Sequence, residues 1–178
     1  ICAALVRCSA TFSEELMKIN LLVADDHAVI REGIAAILKG SEIEVVAEAE
    51  TGNQAIEQAM KLEPDVVLLD VRMPDTDGLE ALERIADRSP RTKVVMFTGH
   101  ENPTYIARAV ALGAAGFVMK GACKDGIVSA INRAHTGLPP ETDSLMGKVR
   151  NTMARRRPTY DEDIPLTNRE VHVLRHGA

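Results

Sequence analysis

The sequence predicts an α/β fold in which a parallel β-sheet is covered by helices on both faces. The main observation is that short apolar runs of strand length alternate five times with segments whose apolar residues recur at helical spacing. The composition agrees, because 46% hydrophobic and 26% charged residues in a 178-residue chain are typical of a packed globular domain. Repeated strand–helix units have right-handed crossovers, so ligands are expected beyond the carboxyl ends of the strands.

Five segments have the length and composition of strands, and four of them are almost continuously apolar, as expected of buried parallel strands. The predicted strands are residues 19–24, 43–49, 65–69, 93–97 and 115–119. After each strand, apolar residues three or four positions apart indicate the buried face of a helix. These faces contain Ile30, Ile34 and Ile37; Ile56 and Met60; Leu79, Leu82 and Ile85; Ile106 and Val110; and Ile127, Ile131 and Ala134.

The segments that flank the strand–helix pattern differ from it in composition. We expect a disordered or added extension, a main domain, a linker and the first helix of a second domain, at residues 1–16, 17–137, 138–164 and 165–178. The extension lacks the order of charged and apolar residues found in a secretory signal, and Met17 follows it directly. The last segment contains a capping box, in which Thr167 is followed three residues later by Glu170.

Composition and charge exclude several functional classes. The net charge of −5 has the wrong sign for a domain that wraps nucleic acid as a whole. The absence of Trp, with two Tyr and three Phe, weighs against a platform that stacks single-stranded bases. Three cysteines without CxxC spacing support neither a zinc site nor a disulfide framework, and they favour a reducing compartment. No apolar run reaches the length of about 20 residues that spans a bilayer.

Polar and charged residues follow four of the five predicted strands. They are Asp25 and Asp26 after the first strand, Asp70 after the third, Thr98 after the fourth and Lys120 after the fifth. The carboxyl ends of parallel strands meet at one edge of a sheet, so these side chains are expected to lie close together. Three carboxylates would repel one another, and one lysine supplies too little charge to prevent this. The cluster therefore predicts a site for a hard divalent cation.

Four sequence motifs, LLVADDH, LLDVRMPDTDG, VVMFTG and GFVMK, occur in this order within residues 17–137. In sequence and spacing they resemble the receiver domain of bacterial two-component response regulators. LTNREV, after the linker, looks like the start of the LuxR-type helix-turn-helix output domain of the NarL/FixJ group. The resemblance implies a flavodoxin-like (βα)5 fold with strand order 2-1-3-4-5. It also implies that residues 165–178 are only the first helix of a truncated output domain.

The resemblance implies Asp70 as phosphoacceptor and Mg²⁺ as cofactor. Asp26, Asp70 and the backbone carbonyl of Arg72 would bind Mg²⁺ directly, and Asp25 would act mostly through water. Lys120 would neutralise the phosphoryl oxygens during an in-line transfer, in which positioning and electrostatics supply most of the catalysis.

The resemblance further implies a conformational switch after phosphorylation. Thr98 would donate its hydroxyl to the new phosphoryl oxygen, and Phe117 would turn into the space that Thr98 leaves. Phe117 lacks the phenol of the common tyrosine variant, so the switch would depend on packing. Arg72 and His100 flank the phosphoryl site and would tune how fast water removes the phosphoryl group.

The same resemblance implies the partners of the chain. The phosphodonor would be a phosphohistidine on a sensor histidine kinase, and phosphorylation would favour a homodimer. DNA would be bound only through the missing part of the output domain, in a cytoplasmic regulator of transcription. The chain would be a signalling switch rather than an enzyme, with no activity beyond its own phosphorylation and dephosphorylation.

Other functional classes remain as alternatives. A phosphatase of the haloacid-dehalogenase type also uses a strand-end Asp, but it needs a second Asp two residues later, where this chain has Arg72. A flavodoxin-like cofactor module would offer amides to a phosphate in its first loop, where Asp25 and Asp26 would repel it. A degenerate receiver that only binds proteins would not need the full set of acidic residues, Thr98 and Lys120.

Overall fold

The structure is a computed structural model that describes residues 18–99 and 102–139. It contains a parallel sheet in the order β2-β1-β3-β4-β5, which confirms the predicted fold class and strand order. The strands are β1 (Ile19–Ala24), β2 (Ile43–Ala49), β3 (Val66–Asp70), β4 (Lys93–Thr98) and β5 (Gly116–Met119). Each of these strands begins and ends within one residue of its predicted bounds.

A helix follows each strand: α1 (Ala28–Leu38), α2 (Gly52–Leu62), α3 (Gly78–Arg88), α4 (Pro103–Ala111) and α5 (Lys124–His135). Side chains of α1 and α5 pack on one face of the sheet, and those of α2, α3 and α4 pack on the other. Successive residues of the central strand point to opposite faces of the sheet, so Leu68 packs in one core and Leu69 in the other. The sheet is therefore covered on both sides, which explains why every residue of β3 is buried.

Two residues predicted to face the core are exposed, and those two assignments were wrong. Ile37 is 36% exposed and Met60 is 45% exposed. In α1 the buried positions are instead Ile34 and Leu38, four residues apart. In α2 the neighbour of Met60, Ala59, is fully buried, and adjacent helical residues point about 100° apart. Helix α2 thus buries Ala59 against the sheet and leaves Met60 at the edge of the buried face.

The register of the strands places their carboxyl ends at one edge of the sheet. Ala24 pairs with Leu69, and Thr98 pairs with Met119. The loops that follow β1, β3, β4 and β5 consequently converge at this edge. The predicted extension and nearly all of the predicted linker and output helix lie outside the described residues, as does His100.

Candidate functional site

Asp25 and Asp26 directly follow β1 and occupy different environments. The side chain of Asp25 is fully buried, and its Oδ1 accepts a hydrogen bond from the backbone amide of His27 at 2.9 Å. Asp26 is partly exposed, and its Oδ1 lies 2.6 Å from Nδ1 of His27. Neither carboxylate caps α1, since the capping position is His27 and no described side chain bonds to the first turn.

Lys120 joins the carboxylates of two different strands. Its Nζ lies 2.9 Å from Oδ2 of Asp70, which ends β3, and 2.7 Å from Oδ2 of Asp25. The backbone amide of Lys120 donates to the carbonyl of Thr98 at 2.7 Å, so the end of β4 fixes the start of the lysine side chain. The structure therefore brings Asp25, Asp70, Thr98 and Lys120 together at the predicted edge of the sheet.

Burial and charge act against each other at this cluster. Burial raises the pKa of Asp70 above its ordinary value of 3.8, and the hydrogen bond and charge of Lys120 only partly counter this. Burial would lower the pKa of Lys120, but the two carboxylates more than offset it and raise the pKa above 10.5. Lys120 is therefore a fixed positive charge at neutral pH, while the negative charge of Asp70 is costly and favours a further cation.

The β3–α3 loop, residues 71–77, and the first residue of α3 fold back against the end of β3. The backbone amide of Arg72 donates to the Asp70 carboxylate. The amide of Gly78 donates to the carbonyl of Val71 at 3.0 Å. A Cβ on Gly78 would lie only 2.2 Å from the carbonyl oxygen of Asp70, so a glycine is required for this close approach.

A cavity of about 250 Å³ lies beside the phosphoacceptor candidate. It is lined by Val71, Arg72, Thr98, Asn102, Tyr105 and Phe117. Thr98 is buried, whereas Phe117 is partly buried and packs against the core on the α2, α3 and α4 side. The cavity thus places Arg72, Thr98 and Phe117 around one space. A larger cavity of about 480 Å³, between β5 and α5, touches Phe117 but none of the clustered carboxylates.

Two residues near the carboxylates were not singled out by sequence reasoning. His27 was part of the LLVADDH motif, and its nitrogen lies within 4.8 Å of ligand oxygens of Asp25 and Asp26. Arg31 is buried, and its NH1 donates to the carbonyl of Asp25 at 2.8 Å. It also pairs with the carboxylates of Glu48 and Glu50 on or next to β2. A charged residue between the apolar positions Ile30 and Ile34 of α1 is the sequence signal that could have identified Arg31.

Within the described part of the chain, no helix is long and apolar enough to cross a membrane.

Comparisons with known proteins agree on one family. Residues 21–132 match the family model described as the response regulator receiver domain, which is more than half of the chain. The transcriptional regulatory protein LnrK of Bacillus subtilis is 36% identical over 168 residues, covering 88% of this chain and 75% of that protein.

Solved structures with the same fold come from related proteins. A LuxR-family two-component response regulator from Aurantimonas has a TM-score of 0.69 and 25% identity, covering 77% of this chain and 99% of that one. A LuxR-family DNA-binding response regulator from Staphylococcus aureus has a TM-score of 0.62 and 28% identity, covering 66% of this chain and 98% of that one.

Proposed function

This chain belongs to the response regulator receiver family, and we propose that it is switched by phosphorylation of Asp70. It is the receiver of a LuxR-type response regulator, in which phosphorylation regulates a transcriptional output. The observation that carries the assignment of Asp70 is its ion pair with Lys120 in a buried setting. A carboxylate held beside a fixed cation can receive a phosphoryl group, because the cation offsets the added negative charge.

In the proposed step, a carboxylate oxygen of Asp70 attacks the phosphorus of a phosphohistidine on a sensor kinase. The P–N bond breaks, and the imidazole leaves with the electron pair of that bond and takes up a proton. A new P–O bond forms, so Asp70 becomes an acyl phosphate. Lys120 stays protonated and lies where it can contact the phosphoryl oxygens, which lowers the energy of their charge during transfer.

Receiver domains bind Mg²⁺ at an acidic site, and the donor set of this chain fits that ion. Carboxylates and a backbone carbonyl are hard oxygen ligands. Lys120 is shared between the carboxylates of Asp25 and Asp70, while the neighbouring carboxylate of Asp26 contacts His27. Oδ2 of Asp25 is buried, and its partner within the described residues is Nζ of Lys120 at 2.7 Å. We assign Asp26, Asp70 and the Arg72 carbonyl to direct binding, and Asp25 to binding through water. The bound ion would supply positive charge next to the phosphoryl oxygens.

The cavity beside Asp70 supports the proposed switch. Thr98 lines it, and its hydroxyl would donate to a phosphoryl oxygen on Asp70. Phe117 lines the same cavity and would move into the space vacated by Thr98. Arg72, on the cavity wall, would influence the access of water to the acyl phosphate, and we assign the same role to His100.

The family assignment does not favour the two alternatives, a phosphatase of the haloacid-dehalogenase type and a receiver that only binds proteins. Arg72 stands where a phosphatase of the haloacid-dehalogenase type needs its general acid, and the side chain of Arg72 cannot give up a proton at neutral pH. A receiver that only binds proteins would not require Lys120 between two buried carboxylates. We therefore propose a signalling switch whose only chemistry is the gain and loss of its own phosphoryl group.

Response regulators interact with sensor kinases, so we infer that a sensor histidine kinase is the phosphodonor. Homodimer formation after phosphorylation, DNA binding through the output domain and a cytoplasmic location remain predictions from the resemblance.

Intact-mass measurement tests the assignment of Asp70. Incubation with Mg²⁺ and acetyl phosphate is expected to add about 80 Da, the mass of one phosphoryl group. The addition should be absent in Asp70→Ala and when Mg²⁺ is removed. Asp87→Asn, an exposed aspartate of α3, serves as the matched control and should still be modified. An undiminished adduct in Asp70→Ala would show that another residue is the acceptor.

A further inference from the structure

Asp75, in the middle of the β3–α3 loop, binds the first turn of a different helix. Its Oδ1 accepts a hydrogen bond from the backbone amide of Gly52 at 2.9 Å, and its Oδ2 accepts one from Asn53 at 3.1 Å. These amides lie 23 and 22 residues away in the chain, at the start of α2. One carboxylate thus satisfies two of the four amides that a helix leaves without partners at its amino end.

The loop and α2 are in direct contact around this carboxylate. A Cβ on Gly52 would lie 2.8 Å from Cβ of Thr76, so the backbone of α2 packs closely against the loop. Gly78 presses the other end of the loop against the carbonyl of Asp70. The loop that carries the Arg72 carbonyl is therefore attached at two places, at α2 through Asp75 and at the end of β3 through Gly78.

Asp75 is not needed as an ordinary cap, because α2 already has one. Thr51 is the capping residue of α2, and its side chain accepts from the amide of Gln54. Asp75 adds a negative charge at the positive end of the helix dipole. Asp75 is exposed, and the slight desolvation of its carboxylate would raise its pKa, but the hydrogen bonds from the amides of Asn53 and Gly52 outweigh this and lower the pKa, which agrees with an ionised carboxylate in this position.

We propose that Asp75 is a positioning residue of the phosphorylation site, which holds the β3–α3 loop on α2 so that the Arg72 carbonyl and Asp70 stay in place for Mg²⁺ and phosphoryl transfer. This inference rests on the proposed function, since it assigns a role toward the same site. Asp75 acts through the backbone of the loop and is separated from the reacting oxygens.

The test compares Asp75→Ala and Asp75→Asn with the wild-type 178-residue chain. Asn keeps one acceptor oxygen, so its effects should lie between those of Ala and wild type. Ser41→Ala is the control, because Ser41 also makes two side-chain hydrogen bonds, here to residues nearby in the chain, but lies before β2, at the opposite edge of the sheet. Three quantities are measured: Mg²⁺ affinity by calorimetry, the rate of phosphorylation by acetyl phosphate, and amide hydrogen exchange without Mg²⁺.

In Asp75→Ala we expect faster exchange at the amides of Gly52, Asn53 and Gly78. We also expect Mg²⁺ affinity and phosphorylation rate to fall by about tenfold, the size found when groups that orient metal ligands are removed. Ser41→Ala should change neither quantity at a temperature where it is fully folded. The Gly78 amide reports on the far end of the loop, where a merely local loss of two hydrogen bonds would have no effect.

Three results would overturn the inference. Equal Mg²⁺ affinity and rate in Asp75→Ala and wild type would remove the positioning role while leaving Asp70 as the acceptor. Equal losses in Asp75→Ala and Ser41→Ala would mean that stability alone is responsible. A wild-type chain that gains no phosphoryl group would instead refute the proposed function, and the inference with it.

Discussion

Lys120 shows how single side chains set the charge of the candidate site. Its ammonium group is shared between Asp25 and Asp70, and its side chain is only 19% exposed. Removing one partner of a buried ion pair is costlier than the pair itself is favourable, because the remaining charge keeps little solvation. The two carboxylates therefore depend on the lysine as long as no other cation is bound.

Lys120→Met should lower the free energy of unfolding by about 3 kcal/mol in the absence of divalent ions. Added Mg²⁺ should restore part of this loss, because it can replace the missing positive charge and binds only the folded state. Urea denaturation with and without Mg²⁺ measures both effects. Lys39→Met, at an exposed position after α1, should show neither. If the free energy of unfolding of Lys120→Met did not change on addition of Mg²⁺, this would contradict the proposed metal site.

The two neighbouring aspartates should contribute unequally to Mg²⁺ binding. Asp25 is buried and paired with Lys120, whereas Asp26 is partly exposed and can turn toward an ion. We expect Asp26→Asn to weaken Mg²⁺ binding more than Asp25→Asn, as measured by calorimetric titration. The reverse order would mean that Asp25 is the direct ligand and Asp26 acts through water.

At the scale of elements, loops and helix starts determine how accurately the site is built. Arg31 of α1 ties the carbonyl of Asp25 to Glu48 and Glu50, and so connects the end of β1 with the end of β2. Gly78 and Asp75 fix the loop after β3 on its two sides. The carboxylates are thus held by neighbouring elements as well as by the strands they follow.

Gly78→Ala should destabilise the protein by about 2 kcal/mol, since the new Cβ would meet the backbone of Asp70 and Val71 at 2.2 to 2.8 Å and the loop would have to shift. Mg²⁺ affinity should fall with it. Gly33→Ala is the opposite case, because α1 leaves open space there and alanine favours a helix by about 0.5–1 kcal/mol. Thermal unfolding of both variants should therefore move the melting temperature in opposite directions.

The contribution of Asp75 to stability should depend on pH. Its pKa is lowered in the folded protein, where the hydrogen bonds from the amides of Asn53 and Gly52 outweigh the opposing effect of a slight desolvation. Such a carboxylate stabilises fully above its unfolded-state pKa, near 3.8, and this stabilisation is lost as pH falls through the lower folded-state value. Asp75→Asn should be less stable than wild type at neutral pH, and the difference should shrink in urea titrations at increasingly acidic pH. Asp87→Asn is the control, because it removes one negative charge at an exposed position of α3.

At the scale of the whole molecule, the sheet separates two apolar cores and leaves the charged cluster at one edge. In the proposed switch, a change at Asp70 would reach the α4 side through the cavity that Thr98, Tyr105 and Phe117 line. Phosphorylation would bias this side between two packings, which is how a local change of charge alters a distant surface.

Phosphorylation should shift the chain toward dimers. The resemblance implies pairing through helical faces, for which α1 and α5 are the candidates, and Val29 at the start of α1 is 80% exposed. Sedimentation with and without a phosphoryl mimic at Asp70 should show a higher average mass for the mimic-bound chain. Identical masses over a range of concentrations would argue against a dimerising switch.

Sequence alone determined the five strand–helix units, the parallel direction and order of the strands, and the edge of the sheet at which the candidate site lies. The residues predicted at that edge were Asp25, Asp26, Asp70, Thr98 and Lys120. Those features follow from local periodicity and from motifs that resemble one family. The same reasoning wrongly predicted that Ile37 and Met60 face the core. The spacing of apolar residues does not show where the buried face of a helix ends.

Only the tertiary structure decided which side chains touch. Lys120 binds Asp70 across 50 residues, and Asp75 binds Gly52 across 23. Arg31 likewise reaches the carbonyl of Asp25 and the carboxylates of Glu48 and Glu50 only in the folded chain. Such contacts depend on the register of the strands and on the path of the crossover connections between them. They also depend on the close approach of Gly52 to Thr76 and of Gly78 to Asp70. These pairs are far enough apart in the sequence, or so specific in geometry, that a local pattern of residues does not predict them.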